Sequence, residues 1–399
     1  MVRPLTTAVL LGSSSSAWAL PYANNIYQRQ NTSACSLQDS YPTVSVAKLP
    51  DPFVFADGSK VATQDDWKCR QQEMKKMLYQ YELGDYPPPP DKVEATLSGA
   101  TLSVKVTVGS KTATISTSIR KGSSAAPGPA IITIGGSSLP VPGTVGTINF
   151  GNDAWAGQNN QRGQGAFYTL FGNTHSAGAL TAWAWGVDRL IDGLDQVGAA
   201  ATGIDTTRLG TTGCSRNGKG AFVVGALVER IALTLPQESG SGGAACWRIS
   251  DSEEGKGKNI QTAHEIVGEN VWFSSRMNTY VRATNTMPSD HHMLAALVAP
   301  RGLFAIENDI DWLGPVSTTG CMKAGRLAYK GAGVPNNMGF SLVGGHNHCQ
   351  FPSSQQADLT TFINYFLLKG TTAPGAVEKS TATVDVAEWA PWTLPTSLA

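Results

Sequence analysis

Five short apolar runs constrain this fold more than any other feature of the chain. They read PAIITIGG (129–136), TTRLGTTGCS (206–215), RIALTLPQESG (230–240), GLFAIEN (302–308) and GFSLVGG (339–345), and stretches of helical period such as ALTAWAWGVDRLIDGLDQV (179–197) and HHMLAALV (291–298) lie between them. Strands that are apolar at nearly every position are buried on both faces, which is the signature of a mostly parallel sheet covered by helices on both sides. The expected architecture is therefore a three-layer αβα sandwich. Upstream, residues 93–120 alternate polar and apolar in a Val, Thr and Ile-rich stretch that predicts antiparallel strands. A helix is predicted over Asp66 to Gly84, stopped by Gly84 and the breaker YPPPP. In parallel sheets ligands gather at the carboxyl ends of the strands, and each run here ends in glycine or polar residues.

With 399 residues and 41% hydrophobic content, the chain suffices for one elaborated α/β domain, expected over residues 20–399 behind a short polar tail. Lys plus Arg and Asp plus Glu balance at 30 each, without a run of like charge, which argues against a nucleic-acid partner. The opening MVRPLTTAVLLGSSSSAWALP pairs Arg3 with a short apolar segment and an A-x-A site ending at Ala19, so residues 1–19 read as a secretory signal. No further stretch is long and apolar enough to span a bilayer, and a soluble, extracellular protein is expected. Asn31, in Asn-Thr-Ser, is a glycosylation sequon. Six cysteines in a secreted chain point to three disulfides, for which fifteen pairings exist. Cys214 adjoins Ser215 and Cys349 adjoins His348, so a bridge between them would tie a serine loop to a histidine loop.

That serine loop reads TTGCSRNGKGA (211–221), between an apolar run and a helical stretch. A tight strand-to-helix turn that exposes a serine is the nucleophile elbow of α/β-hydrolases, written G-x-S-x-G. Gly213 fits, but Asn217 stands at the second glycine position and Gly218 comes one residue late. A serine that merely caps the helix would give a similar pattern. The neighbouring charges favour chemistry: Arg216 and Lys219 fall in the first helical turn, where the macrodipole disfavours cations. Three residues apart, they share a face beside Ser215 and suit an oxygen-rich substrate or a developing oxyanion.

A serine nucleophile needs a base, and the base an acceptor. His346 and His348 follow the last apolar run, where α/β-hydrolases carry the base, and His348 is favoured because Cys349 can tether it. His175, His264, His291 and His292 read as surface or packing residues. For the acid, Glu238, Asp309 and Asp311 all follow apolar runs, and position alone does not rank them.

These residues resemble the fungal glucuronoyl esterases, also called 4-O-methyl-glucuronoyl methylesterases. GCSRNGKGA looks like that family's nucleophile motif, in which the second glycine is absent. LPQESGSGGAACWR, ENVWF, ENDIDWLGP and GGHNHCQFP extend the likeness over nearly the whole mature chain. The resemblance implies an α/β-hydrolase fold, Ser215 as nucleophile, Glu238 as acid and His348 as base. It further implies oxyanion stabilisation by Arg216 and sugar binding by Lys219, Gln261, Glu269 and Trp312. The bridges it implies are Cys35 to Cys69, Cys214 to Cys349 and Cys246 to Cys321. The implied substrate is the ester joining glucuronic acid side groups of xylan to lignin alcohols, cleaved by a monomer without metal or cofactor. Two other readings remain at this point. An acetyl-xylan esterase, feruloyl esterase, lipase or peptidase would use the same elbow, and a carbohydrate-binding protein could keep the scaffold without turnover.

Overall fold

The apolar runs become the central strands of a ten-stranded sheet. The computed structural model describes residues 35–159 and 161–398, so the signal segment and Asn31 lie outside the described residues. Thr63 starts helix α1 (Gln64–Leu78) with a reciprocal cap: its hydroxyl accepts from Asp66 N–H at 3.0 Å, and the Asp66 carboxylate accepts from Thr63 N–H at 2.9 Å. The helix widens into a π turn (Tyr79–Leu83) and ends at Gly84, whose φ is +77°. It therefore begins two residues before the Asp66 that the sequence suggested, because the cap lies at Thr63.

Strands β1 (Lys92–Ser98), β2 (Thr101–Val108) and β3 (Lys111–Arg120) form the antiparallel meander predicted for 93–120. Next come β4 (Gly128–Ile134), β5 (Gly146–Phe150), β6 (Ile204–Cys214), β7 (Ile231–Gln237), β8 (Gly302–Glu307), β9 (Met338–Leu342) and β10 (Glu378–Lys379). All pairings among these are parallel, and β3 joins β5 antiparallel. The spatial order is β1-β2-β3-β5-β4-β6-β7-β8-β9-β10. Every residue of β4, β8 and β9 is buried, as two covered faces require. The helices that matter for the site are α2 (Ala179–Val197), α3 (Arg216–Leu227), α4 (Trp247–Gly255), α5 (Ala263–Glu269), α6 (His292–Val298), α7 (Pro315–Gly331) and α8 (Gln356–Phe366).

Alternate side chains of each central strand feed opposite cores. Along β8, Leu303 and Ala305 join the larger core with residues of α2, α3 and α6, whereas Phe304 and Ile306 join the smaller one under α8. There Phe362 stacks on Phe304 with ring centroids 4.8 Å apart. Each such ring, fully buried, contributes about 1.5–3 kcal/mol relative to exposure. The result is a three-layer αβα sandwich of α/β-hydrolase type.

The connectivity sets where a ligand can enter. From β4 the chain steps to β5 on one side, then returns through α2 to β6 on the other side of β4. Between β4 and β6 the connections diverge, which opens a crevice at the carboxyl ends. Ser215 is the first residue beyond β6.

Candidate active site

Ser215 stands at φ +60°, ψ −126°, a conformation that costs a non-glycine residue on the order of 1–3 kcal/mol. It occupies the N-cap of α3, yet its side chain makes no capping hydrogen bond. The capping alternative therefore fails, and the helix does not use the hydroxyl. Its N–H donates to Gln237 O at 2.9 Å, pinning the turn to β7.

The misplaced glycine has a packing explanation. A Cβ on Gly218 would lie 2.4 Å from Gln237 O, and one on Gly213 would lie 2.5 Å from Asn217 O. The close approach of helix to strand thus falls at Gly218, leaving position 217 free for a side chain. Asn217 uses that freedom, accepting from Asn152 Nδ2 at 3.1 Å.

Across the Cys214–Cys349 bridge from the serine loop, His348 Nδ1 lies 2.8 Å from Glu238 Oε2, which also accepts from Cys349 N–H at 2.8 Å and Asn308 Nδ2 at 3.3 Å. Glu238 is 1% exposed and has φ +44°; its N–H donates to Ile306 O at 2.7 Å. His348 Nε2 has no hydrogen-bond partner among the described residues. That leaves a lone pair available once Nδ1 carries its proton toward Glu238. The Cys214–Cys349 disulfide joins the two loops, and Cys35–Cys69 and Cys246–Cys321 are also bonded.

The remaining histidines are engaged elsewhere. His346 turns its ring toward Val343 O and Asn308, 3.7 Å from Glu238 Oε1. His291 pairs with Glu82 at 2.5 Å in the core, and His292 bonds Pro50 O while burial pushes it down to about 4. His264 contacts Arg282, and His175 accepts from Ala177 N–H. Neither Asp309 nor Asp311 reaches His348: Asp309 packs its carboxylate against Gly344, and Asp311 is exposed.

Around this pair the structure gathers the other residues singled out in the sequence. The Trp312 ring meets His348 edge to face at 4.9 Å, and Trp312 O accepts from Gln261 N–H at 3.1 Å. Gln261 Nε2 donates to Glu269 Oε2 at 3.1 Å. Arg216 and Lys219 both lie over the indole of Trp272, at 5.9 and 5.5 Å. Lys219 is buried and donates to Ser239 O at 2.6 Å. Burial pulls its pKa down to about 8 despite the attraction of Glu307 and Glu269.

Trp272, Asn308, Ser239 and Glu307 complete the site, and sequence reasoning assigned none of them a role. Trp272 follows Glu269 closely in ENVWF, which was the available signal; Glu307 is the charged end of the apolar run GLFAIEN.

The switch-point crevice, the strained serine and the buried carboxylate–histidine pair define the class: an α/β-hydrolase. A model of the family described as glucuronyl esterase, fungi, matches residues 104–333. The chain belongs to that family and is a carboxylic ester hydrolase. It is 65% identical over 394 residues to the 4-O-methyl-glucuronoyl methylesterase of Neurospora crassa, covering 98% of each chain. The crystal structure of the Sporotrichum thermophile glucuronoyl esterase superposes with a TM-score of 0.90 at 65% identity, covering 91% of this chain and 100% of that one. A serine-to-alanine mutant of the Sporotrichum thermophile esterase, solved in complex with methyl 4-O-methyl-β-D-glucopyranuronate, gives a TM-score of 0.88 at 66% identity, covering 90% and 98%.

Proposed function

We propose that this protein is a secreted serine esterase that cleaves the ester between 4-O-methyl-D-glucuronic acid side groups of glucuronoxylan and alcohols of lignin. One observation supports the reading: the Trp312 ring meets His348 at 4.9 Å and is tied through its carbonyl to Gln261, which bonds Glu269, so an indole and polar groups adjoin the histidine where a sugar ring would sit. The identity to methylesterases and the ester bound by the related mutant support the acyl group. Three disulfides suit an extracellular setting.

In this mechanism Ser215 Oγ attacks the C6 carbonyl as His348 Nε2 takes its proton. Glu238 holds the Nδ1 proton and stabilises the imidazolium. The oxyanion meets the Arg216 guanidinium and backbone N–H groups, including that of Arg216, which as the first residue of α3 has no intrahelical acceptor. His348 returns the proton to the leaving alcohol; water, deprotonated by the same nitrogen, then releases the glucuronate and restores Ser215. The test is the specificity constant on benzyl glucuronate beside acetyl and feruloyl esters. A preference for either of the latter would redirect the assignment.

Arg216→Ala should lower kcat by about a hundredfold to a thousandfold with KM nearly unchanged, since the guanidinium makes no hydrogen bond or ion pair with another described residue and is exposed. Steady-state kinetics decide it. Raised KM with intact kcat would make Arg216 a ground-state ligand.

Lys219 yields a pH prediction. Its pKa of about 8 means that the ammonium dominates below that pH and is lost above it. Charged donors make the stronger hydrogen bonds to sugar oxygens. KM should therefore rise above about pH 8 in the unaltered enzyme, whereas Lys219→Met should show a higher KM with no such rise. Identical KM profiles for the two proteins would remove Lys219 from substrate binding.

A further inference from the structure

Glu307 ends β8 beneath the site, 1% exposed. Its Oε1 accepts from Ser239 N–H at 3.0 Å and from the Ser239 hydroxyl at 2.8 Å, and its Oε2 from Gly240 N–H at 3.4 Å. All three donors belong to the two residues that follow Glu238. The peptide unit joining Ser239 to Gly240 thus points its N–H at the Glu307 carboxylate, while its carbonyl accepts the Lys219 ammonium at 2.6 Å. A dipole held between opposite charges in a buried setting is strengthened at both ends. Ser239 Oγ extends the lattice by accepting from Ala244 N–H at 2.9 Å.

Retaining a carboxylate there is costly. Burial, with the negative charge of Glu238 nearby, pushes Glu307 up to about 7. An apolar residue at the end of β8 would avoid that cost but would leave two buried N–H groups without an acceptor. Glu238 itself needs the support, because it sits at φ +44° and must present one oxygen to His348.

We propose that Glu307 is a positioning residue for both halves of the site: it fixes the turn that carries Glu238 and, through the Ser239–Gly240 peptide, the placement of Lys219. This rests on the reading of Glu238 as the acid and Lys219 as a sugar ligand. Neither end of the arrangement requires Glu307 to touch substrate.

The two roles separate kinetically. Glu307→Gln keeps the shape but turns an amide NH2 toward donors. It should lower kcat about ten- to a hundredfold, the scale of sub-ångström misplacement of a catalytic group, and raise KM for a glucuronate ester roughly tenfold. In a Lys219→Ala background the same substitution should still lower kcat but leave KM where Lys219→Ala alone puts it, since the residue through which Glu307 acts on binding is gone. A general loss of structure would not produce that split, because it reduces active protein without changing KM. Unchanged KM in Glu307→Gln, unchanged kcat, or a KM increase that persists in full in the double mutant would overturn the proposal. Should Glu307→Gln fail to fold, Ser239→Ala, which removes one of the three bonds to Glu307 together with the acceptor of Ala244 N–H, should lower kcat in the same direction by a smaller factor; wild-type kinetics there would count against it. Glu238→Ala distinguishes the two levels: if that variant stays active the triad reading fails, and if it is inactive while Glu307→Gln is normal, only the positioning role fails.

Discussion

Ser215→Ala, purified as folded protein, should hydrolyse glucuronate esters roughly ten-thousandfold to a millionfold more slowly than the unaltered chain. The size follows from the loss of the attacking atom, which leaves only binding and oxyanion stabilisation. The fold should not suffer, because the hydroxyl makes no capping bond and alanine inherits the same φ of +60°. Ser215→Gly should in fact raise the melting temperature, since glycine relieves a conformation that costs about 1 kcal/mol or more. An inactive Ser215→Ala that also melts well below wild type would mean that the loss of rate reflects damage to the turn. A folded, active one would remove the nucleophile.

Glu238→Gln should lose about a thousandfold to ten-thousandfold in kcat, whereas Asp309→Ala should remain within about a factor of two or three. Glu238 is the carboxylate whose Oε2 meets His348 Nδ1 at 2.8 Å, and it is buried. The glutamine can still present an oxygen to Nδ1–H, but it offers no charge to the imidazolium and can swap its NH2 into that place. Asp309 follows β8, where this fold often carries its acid, yet its carboxylate faces Gly344. Steady-state kinetics on both variants rank the two carboxylates, and the opposite order would move the acid to the neighbouring strand.

The sheet was legible because parallel strands buried on both faces leave unbroken apolar runs, and the runs at 129–136, 230–240 and 302–308 overlap β4, β7 and β8, which stop short of the runs' polar or glycine ends. Helix α7 was not, since PVSTTGCMKAGRLAYKG is rich in threonine and glycine, poor helix formers that only tertiary packing sustains. At the elbow the spacing of glycines looked wrong in one dimension. Which residue needs to lack a Cβ is decided by Gln237 on the neighbouring strand, and no local pattern contains that contact. The misplaced cations were the better clue: Lys219 near the start of α3 is explained by Ser239 O and Trp272, partners distant in sequence. The ranking of Glu238 over Asp309 and Asp311 came from family resemblance, because side-chain direction after a strand depends on a backbone torsion, here φ +44°, that sequence does not display.

Labelling with a fluorophosphonate, followed by peptide mapping and residual-activity assays, tests the serine mechanism most directly. The expected result is one phosphonyl group per chain, located on Ser215, with esterase activity falling in proportion to label and the labelling rate greatly reduced in His348→Ala. Stoichiometric label on Ser215 with esterase activity intact, or inactivation accompanied by label on a different residue, would contradict it.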